Sequence, residues 1–244
     1  MRSKFKAVSL HFLITFVVGL FSAIIIFYIW YPAPYNSIAG GVGLWGLIVS
    51  VELALGPLMS LVIYSNLKAK KEILFDYTVV VSIQLTAFLF GLHSAYLARP
   101  LALVFVKDRF ELVTQNDFVA NDVLLPQGYA NLLSSPQLLQ IRYPDDSDER
   151  SQILLESTYG GRDYHLRPIY HTSLSTDTLN DVLQPIELLC VNSTEVYCSS
   201  DFLEQAGWVP LNNNGKFSML FFSRATGDIL TWVDKDPWII SGSN

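Results

Sequence analysis

The sequence lacks the short patterns that mark the common catalytic and nucleotide-binding sites. The nucleophile elbow GxSxG, the zinc-binding helix HExxH and the phosphate-binding P-loop are all absent from its 244 residues. His165 and His171 are six residues apart, a spacing that suits neither one helix face nor a metal site. We therefore expect both histidines to be packing or surface residues. The sequence predicts no enzyme, no metal site and no cofactor.

The chain is too apolar to be one soluble domain. Hydrophobic residues make up 51% of it, and its mean hydropathy is +0.34. The excess lies before residue 99, in three runs that each exceed the roughly 20 residues needed to cross a bilayer. These runs are Ala7–Trp30, Ile38–Tyr64 and Phe75–Leu97. We predict a membrane protein with a three-helix transmembrane anchor over residues 1–98, followed by an exported α+β domain over residues 99–244.

Basic residues are missing from the short loop between the first and second runs, Tyr31–Ser37. They occur instead before the first run and between the second and third runs, as Arg2, Lys4, Lys6, Lys68, Lys70 and Lys71. Because cytoplasmic loops carry the excess of lysine and arginine, this pattern predicts a cytoplasmic N-terminus and an exported C-terminal domain. From Arg99 onward the chain has 10 basic and 19 acidic side chains, a net charge of −9, which disfavours binding to nucleic acid.

Cysteine is scarce, with only Cys190 and Cys198 in the whole chain, both in the predicted exported domain. Neither belongs to a CxxC pair or a histidine-rich metal pattern, so redox and zinc-binding functions are disfavoured. In an oxidising compartment, two cysteines this close favour a structural disulfide. Two buried free thiols are the alternative.

Two antiparallel β-hairpins are predicted in the exported domain. LALVFV and FELV flank a polar turn at residues 107–109, and KFSMLFFSR and ILTWVDKDPW flank a glycine-containing turn at residues 225–228. Residues 201–206 are predicted to form a short helix that Gly207 ends. With at least four strands and several short helices, the domain is expected to be α+β.

The second apolar run carries the most informative pattern in the chain. Small residues recur on it at steps of three or four and would form a stripe for close packing against another helix. They are Ala39, Gly43, Gly46, Ser50 and Ala54. Glu52 lies near the middle of the same run but off the stripe.

A carboxylate at the depth of Glu52 costs several kcal/mol unless it is neutralised or paired, which makes this residue a candidate functional group. Two interpretations stay open. Glu52 either faces a partner, or it is bonded inside the protein's own helical bundle, where Gln84 is expected at a similar depth.

Several segments, in order along the chain, resemble the type IV pilin accessory protein family. They are the first run ending in WYPAPY, the acid-bearing ELALGPLMSLVIY, the lysine-rich loop after it, ARPLALVFVKDRFELV and the terminal TGDILTWVDKDPW. The resemblance covers essentially the whole chain. Family members commonly have an acidic residue, often aspartate, where Glu52 stands here.

The resemblance implies a bacterial inner-membrane protein with a periplasmic C-terminal domain that accompanies a major pilin and promotes assembly of type IV pili. Its expected partners are the transmembrane helix and the head of that pilin, the pilus assembly machinery and membrane lipid. The stripe from Ala39 to Ser50 would receive the pilin helix, and the acidic domain would contact the pilin head or the machinery. The alternative is a membrane-anchored periplasmic sensor or ligand-binding protein, although the short cytoplasmic parts hold no output domain.

Overall fold

The computed structural model describes residues 2–63, 68–125, 127–129, 136–190, 198 and 204–238. By its internal contacts the chain divides into two units, Met1–Arg99 and Pro100–Asn244. The first unit is helical, and the second is built around a seven-stranded sheet.

Three helices of the first unit are long and apolar enough to cross a membrane, which confirms the three long apolar N-terminal helices predicted from sequence. The helical elements are α1 (Arg2–Ile24) with a π-helical continuation (Ile25–Trp30), the single turn α2 (Tyr35–Ile38), α3 (Gly41–Ile63) and α4 (Lys70–Leu97). Large apolar side chains are exposed on all three long helices, among them Phe16, Leu47 and Phe90. The exterior of this unit is therefore apolar.

The second apolar run does not form one uninterrupted helix, contrary to the prediction. Helical structure is interrupted at Ala39 and Gly40. Gly40 has a φ of +71°, a left-handed conformation that glycine adopts without steric cost. After the break, Gly41 lies so close to Tyr31 that a Cβ at Gly41 would be 2.7 Å from the tyrosine ring. The Tyr31 hydroxyl donates to the carbonyl oxygen of Ala95 at 2.8 Å. Tyr31 therefore links the ends of the three long helices.

Helix α3 packs against both α1 and α4. Near the Tyr31 end the contact is apolar and includes the buried side chain of Ile48. Glycines on the two outer helices allow the close approach, because a Cβ at Gly19 would lie 3.4 Å from Val49 and a Cβ at Gly91 would lie 2.9 Å from Ile48. Small residues on α1 and α4 thus determine how closely α3 fits against them.

The second unit contains one mixed sheet with the strand order β4-β3-β1-β2-β5-β6-β7. The strands are β1 (Pro100–Val106), β2 (Arg109–Thr114), β3 (Gln137–Ile141), β4 (His171–Ser173), β5 (Ala206–Asn213), β6 (Lys216–Ser223) and β7 (Ile229–Val233). The pairs β1–β2 and β6–β7 are antiparallel, which confirms both predicted hairpins. Two parallel pairs, β1 with β3 and β2 with β5, are not evident from the sequence.

Short helices connect the strands. They are α5 (Gln115–Ala120), α6 (Ser147–Thr158) and α7 (Thr176–Val182), with 3-10 turns at Gln127–Tyr129, Tyr164–Leu166, Pro168–Tyr170 and Ile186–Leu189. Each α-helix begins after a residue whose side chain accepts a hydrogen bond from a backbone N–H of the first turn. These capping residues are Thr114, Asp146 and Ser175.

The predicted role of Gly207 as a helix end is wrong. Gly207 lies within β5 and pairs with Phe222 of β6, while residues 201–203 lie outside the described residues. A Cβ at Gly207 would be 2.7 Å from Leu183, so close packing rather than a helix terminus requires glycine here.

Two hydrophobic clusters lie on one face of the sheet. The first includes Val104 of β1 and Ile153 of α6, and the second includes Trp208 of β5. A disulfide joins Cys190 and Cys198, and both sulfur-bearing residues pack against the second cluster. The two clusters together bury this face on both sides of the β2–β5 pairing.

A polar pair lies between these clusters. Glu111 of β2 pairs in register with Asn212 of β5, and its carboxylate accepts a hydrogen bond from Asn212 Nδ2 at 2.8 Å. Burial raises the pKa of Glu111 to about 7, against the lowering effects of the Asn212 hydrogen bond and of Arg109. The carboxyl group therefore titrates near neutral pH.

We expect the ionisation of Glu111 to lower the free energy of unfolding of the second unit as the pH rises from about 4.5 to about 7. The folded state binds the Glu111 proton more tightly than the unfolded state does. The stabilisation that this proton gives the folded state is therefore complete below the unfolded pKa near 4.5 and lost above about 7. Glu111→Gln keeps an acceptor for Asn212 but cannot ionise. At pH 8 the variant should be more stable than the unmodified protein by about 1–3 kcal/mol.

Hydrogen–deuterium exchange of β2 and β5 in the full-length protein, solubilised in detergent, measures this effect. Because other groups titrate in the same range, the quantity compared is the difference between variant and unmodified protein at each pH. A difference that does not change between pH 4.5 and 8 would contradict the assignment.

Candidate functional site

Four residues of the predicted stripe lie on an outward face of α3. Gly43 and Ser50 are exposed, and a Cβ built at Gly43 or Gly46 would have no neighbour within 4 Å beyond the adjacent helix backbone, among the described residues. The Ser50 hydroxyl is satisfied within the helix, where it donates to the carbonyl oxygen of Gly46. Ala54, one turn further on, is also exposed. We call Gly43, Gly46, Ser50 and Ala54 the open face.

Ala39 does not belong to the open face, which corrects its predicted place in the stripe. It lies in the break before α3 and packs against a buried cluster that includes Ile26 and Ile48. The helical wheel fails at this residue because it assumes a continuous helix, whereas Gly40 ends the preceding turn.

Glu52 lies on the opposite side of α3 from the open face. Nine residues separate it from Gly43, and at about 100° per residue they point in opposite directions. Glu52 is half-buried, and one carboxylate oxygen accepts a hydrogen bond from Gln84 Nε2 of α4 at 3.4 Å. The contact expected between these two residues is therefore present. Glu52 and the small residues do not form one surface.

Polar residues continue along the inward side of α3 at steps of four. One turn from Glu52 lies Gly56, where a Cβ would be 2.9 Å from both Gln84 Nε2 and His11 Nε2. One turn further, Ser60 is fully buried and its hydroxyl is hydrogen-bonded to His11 Nδ1 at 2.6 Å. We call Glu52, Gly56, Ser60, His11 and Gln84 the polar seam.

The polar seam as a whole is not predicted from the sequence, although Glu52 and Gln84 are expected at a similar depth. The signal that could have found it is the spacing of Glu52, Gly56 and Ser60, which puts two polar side chains and a glycine on one helix face. A small residue between two polar ones allows long polar side chains from neighbouring helices to reach the backbone.

A half-open groove runs between α1 and α4 along the polar seam. It consists of two adjoining cavities of about 350 and 150 Å³, which share His11, Ile14 and Val81 in their linings. The walls are mostly apolar, while Glu52, Gln84 and Thr15 line the inner cavity. We call it the α1–α4 groove.

Among its described residues, the second unit offers no comparable group of polar side chains beside an apolar groove. His171 Nδ1 is hydrogen-bonded to the Tyr129 hydroxyl at 2.7 Å, and burial lowers the pKa of His171 to about 4 and also lowers that of His165. Both histidines are partly buried packing residues, as predicted. Across the residues that the structure describes, no three or more His, Cys, Asp or Glu side chains converge as a metal site.

Comparison with known proteins establishes the family. The family model described as fimbrial assembly protein FimB matches residues 1–40. The fimbrial assembly protein of serogroup E1 from Dichelobacter nodosus is 34% identical over 176 residues, which cover 70% of this chain and 67% of that protein. The chain belongs to the FimB family of fimbrial assembly proteins.

Two further relatives from Dichelobacter nodosus agree with this. The fimbrial assembly protein of serogroup I is 28% identical over 248 residues, covering 96% of this chain and 95% of the relative. That of serogroups C1 and C2 is 36% identical over 122 residues, covering 50% of this chain and 92% of the relative. These matches confirm the resemblance to pilin accessory proteins. No solved structure matches the chain.

We expect Gly56→Val to destabilise the helical unit, because its side chain would displace Gln84 and His11 from α3. Overpacking of this kind costs about 1–3 kcal/mol. The matched control is Gly46→Val, which places the same β-branched residue on the same helix in open space. Thermal unfolding of the two full-length variants in detergent, followed by helical circular dichroism, should show a lower midpoint for the first alone. Equal shifts would show that the polar seam does not limit packing.

Proposed function

We propose that this chain is a bacterial inner-membrane accessory protein that associates with a type IV pilin and promotes pilus assembly or pilin stability without catalysing a reaction. The names of its relatives support a role in fimbrial assembly, and three helices of sufficient length and hydropathy support membrane insertion. The lysines and arginines before α1 and between α3 and α4 favour a cytoplasmic N-terminus and a periplasmic second unit. A disulfide in that unit fits an oxidising compartment.

The observation that carries the proposal is the open face of α3. Apolar surfaces are not driven together in lipid, so helices associate there through close packing, which small residues permit. α1 and α4 pack against α3, yet they leave Gly43 and Gly46 with no neighbouring side chain among the described residues. A second helix backbone can therefore approach α3 along this face. The occupant we assign to it is the transmembrane helix of the pilin.

The second unit would act on the periplasmic side. Its acidic character, a net charge of −9 from Arg99 onward, favours a partner surface that carries basic groups. We assign it to the pilin head or to the assembly machinery, and the helical unit to the pilin helix. One chain would then contact a pilin both within the membrane, at the pilin helix, and in the periplasm, at the pilin head.

Gly43→Leu should reduce association with the pilin helix at least about fivefold, because a branched side chain on the open face prevents close approach of a second backbone. The measurement is photocrosslinking in living cells from a diazirine analogue of leucine at position 47, which is one turn from Gly43 and 67% exposed. Adducts to the epitope-tagged pilin are quantified and surface pili are counted. Leu55→Phe is the control, since it also adds bulk at a lipid-exposed residue of α3, 48% exposed, but nine residues from Gly46 and therefore on the opposite side of the helix.

The second unit should remain folded in both variants, shown by retention of the Cys190–Cys198 disulfide on a non-reducing gel. Undiminished pilin adducts in Gly43→Leu would exclude the open face as the docking surface. If the protein is needed for pilus assembly but no probe position on it gives a pilin adduct, the proposed association with the pilin is wrong.

A further inference from the structure

Within the membrane, the α1–α4 groove forms a second elongated surface that the open face does not account for. On α1 its lining extends from Ala7 to Gly19, and on α4 from Tyr77 to Phe88. At 1.5 Å per residue these walls are about 18 and 16 Å long, or three helical turns. α3 contributes Val49 and Glu52 between the two walls.

In the described part of the chain, the groove is lined by an acidic side chain, Glu52, and by no lysine or arginine. Glu52 lies at the middle of the 23-residue helix α3, about 16 Å from either end, and therefore at mid-depth in a membrane. The chain has no lysine or arginine between Lys6 and Lys68 or between Lys71 and Arg99. Among the described residues Glu52 forms no ion pair, and the hydrogen bond from the Gln84 amide is long, at 3.4 Å. A carboxyl group at this depth is thus left without a lysine or arginine from its own bundle, and the basic side chain that lines the groove with it, His11, is hydrogen-bonded to Ser60 instead.

We propose that the α1–α4 groove binds a transmembrane helix of a partner protein that carries a lysine or arginine at mid-bilayer depth, and that this cation pairs with Glu52. Charge complementarity selects this occupant, because the attraction between opposite charges is much stronger in a low-dielectric medium than in water. A lipid acyl chain would contact the apolar walls of the groove but would leave Glu52, Gln84 and Thr15 without a new polar partner. This site is separate from the open face, and it does not depend on which protein occupies that face.

A second cleft, of about 200 Å³, lies on the other side of α4 and also reaches Glu52. It is lined by α3 and α4 alone, among them Leu47, Val51 and Phe90. The α1–α4 groove is favoured because all three long helices line it and because His11, Thr15 and Gln84 add polar atoms beside the carboxyl group. Phe90 therefore marks the competing position in the experiment below.

The test uses the full-length protein reconstituted in phosphatidylcholine vesicles with two labelled synthetic helices. Each is a leucine- and alanine-rich peptide of about 22 residues, with either a single lysine or a leucine at its centre. Binding is measured by energy transfer to the labelled protein. The lysine peptide should bind at least about tenfold more tightly than the leucine peptide, and Glu52→Gln should abolish that preference.

Variants on the groove wall locate the site. Leu85→Trp fills the groove and should weaken binding of the lysine peptide, whereas Leu89→Trp, at a residue of the same 54% exposure outside the groove lining, should not. Helical circular dichroism checks that each variant is folded, and the comparison of the two peptides on the unmodified protein needs no variant at all. A diazirine analogue of leucine at position 85, which keeps the size of the native side chain, should crosslink the lysine peptide, and a photoreactive residue at position 90 should not.

Equal binding of both peptides, a lysine preference that survives Glu52→Gln, or crosslinks at position 85 to lipid alone would each overturn the proposal. Peptide crosslinks from position 90 instead of 85 would move the site to the other cleft and overturn it as well. The pilin is absent from this experiment, so its outcome is independent of the test of the open face.

Discussion

The helical unit depends on α3 being packed on one side only. Its inward side carries Glu52, Gly56 and Ser60, which meet polar side chains of α1 and α4. Its outward side carries small residues with no neighbour among the described residues. In lipid the apolar side chains of α3 do not favour one neighbour over another, so hydrogen bonds and close packing decide its orientation. The polar seam fixes which side of α3 faces inward, and as a consequence it also fixes which side has no neighbour among the described residues.

The sheet of the second unit shows a similar dependence on one contact. A central hairpin, β1–β2, is extended on each side by a parallel strand, and β2 and β5 are in register at only two residue pairs, Phe110 with Leu211 and Glu111 with Asn212. The second of these pairs adds a side-chain hydrogen bond between two hydrophobic clusters. Since β5 leads into β6 and β7, the join of three strands to the other four includes a carboxyl group that titrates near neutral pH.

The sequence predicted those elements that depend on residues close together in the chain. Hydropathy and length were sufficient for the three long helices, and alternation around a polar turn was sufficient for both hairpins. The break at Gly40 was missed because a glycine is tolerated inside a helical pattern, and only its observed φ shows that it ends the turn. The parallel pairings join distant segments, 101 residues apart for Glu111 and Asn212, and no local pattern encodes them. The same holds for His11 and Ser60, 49 residues apart, although the four-residue spacing on α3 did point to one shared face.

The orientation of Glu52 limits what one partner helix can do. A helix on the open face cannot reach the α1–α4 groove, because the two lie on opposite sides of α3. A carboxyl group held by a single long hydrogen bond to a neutral amide can take a charged partner in its place, because opposite charges attract much more strongly in a low-dielectric medium than in water. Other contacts of the bundle do not involve Glu52, among them the His11–Ser60 hydrogen bond and the apolar cluster around Ile26 and Ile48. The longer of these two hydrogen bonds of the seam, that between Glu52 and Gln84, lines the groove, and a partner can replace it there without breaking the bond between His11 and Ser60.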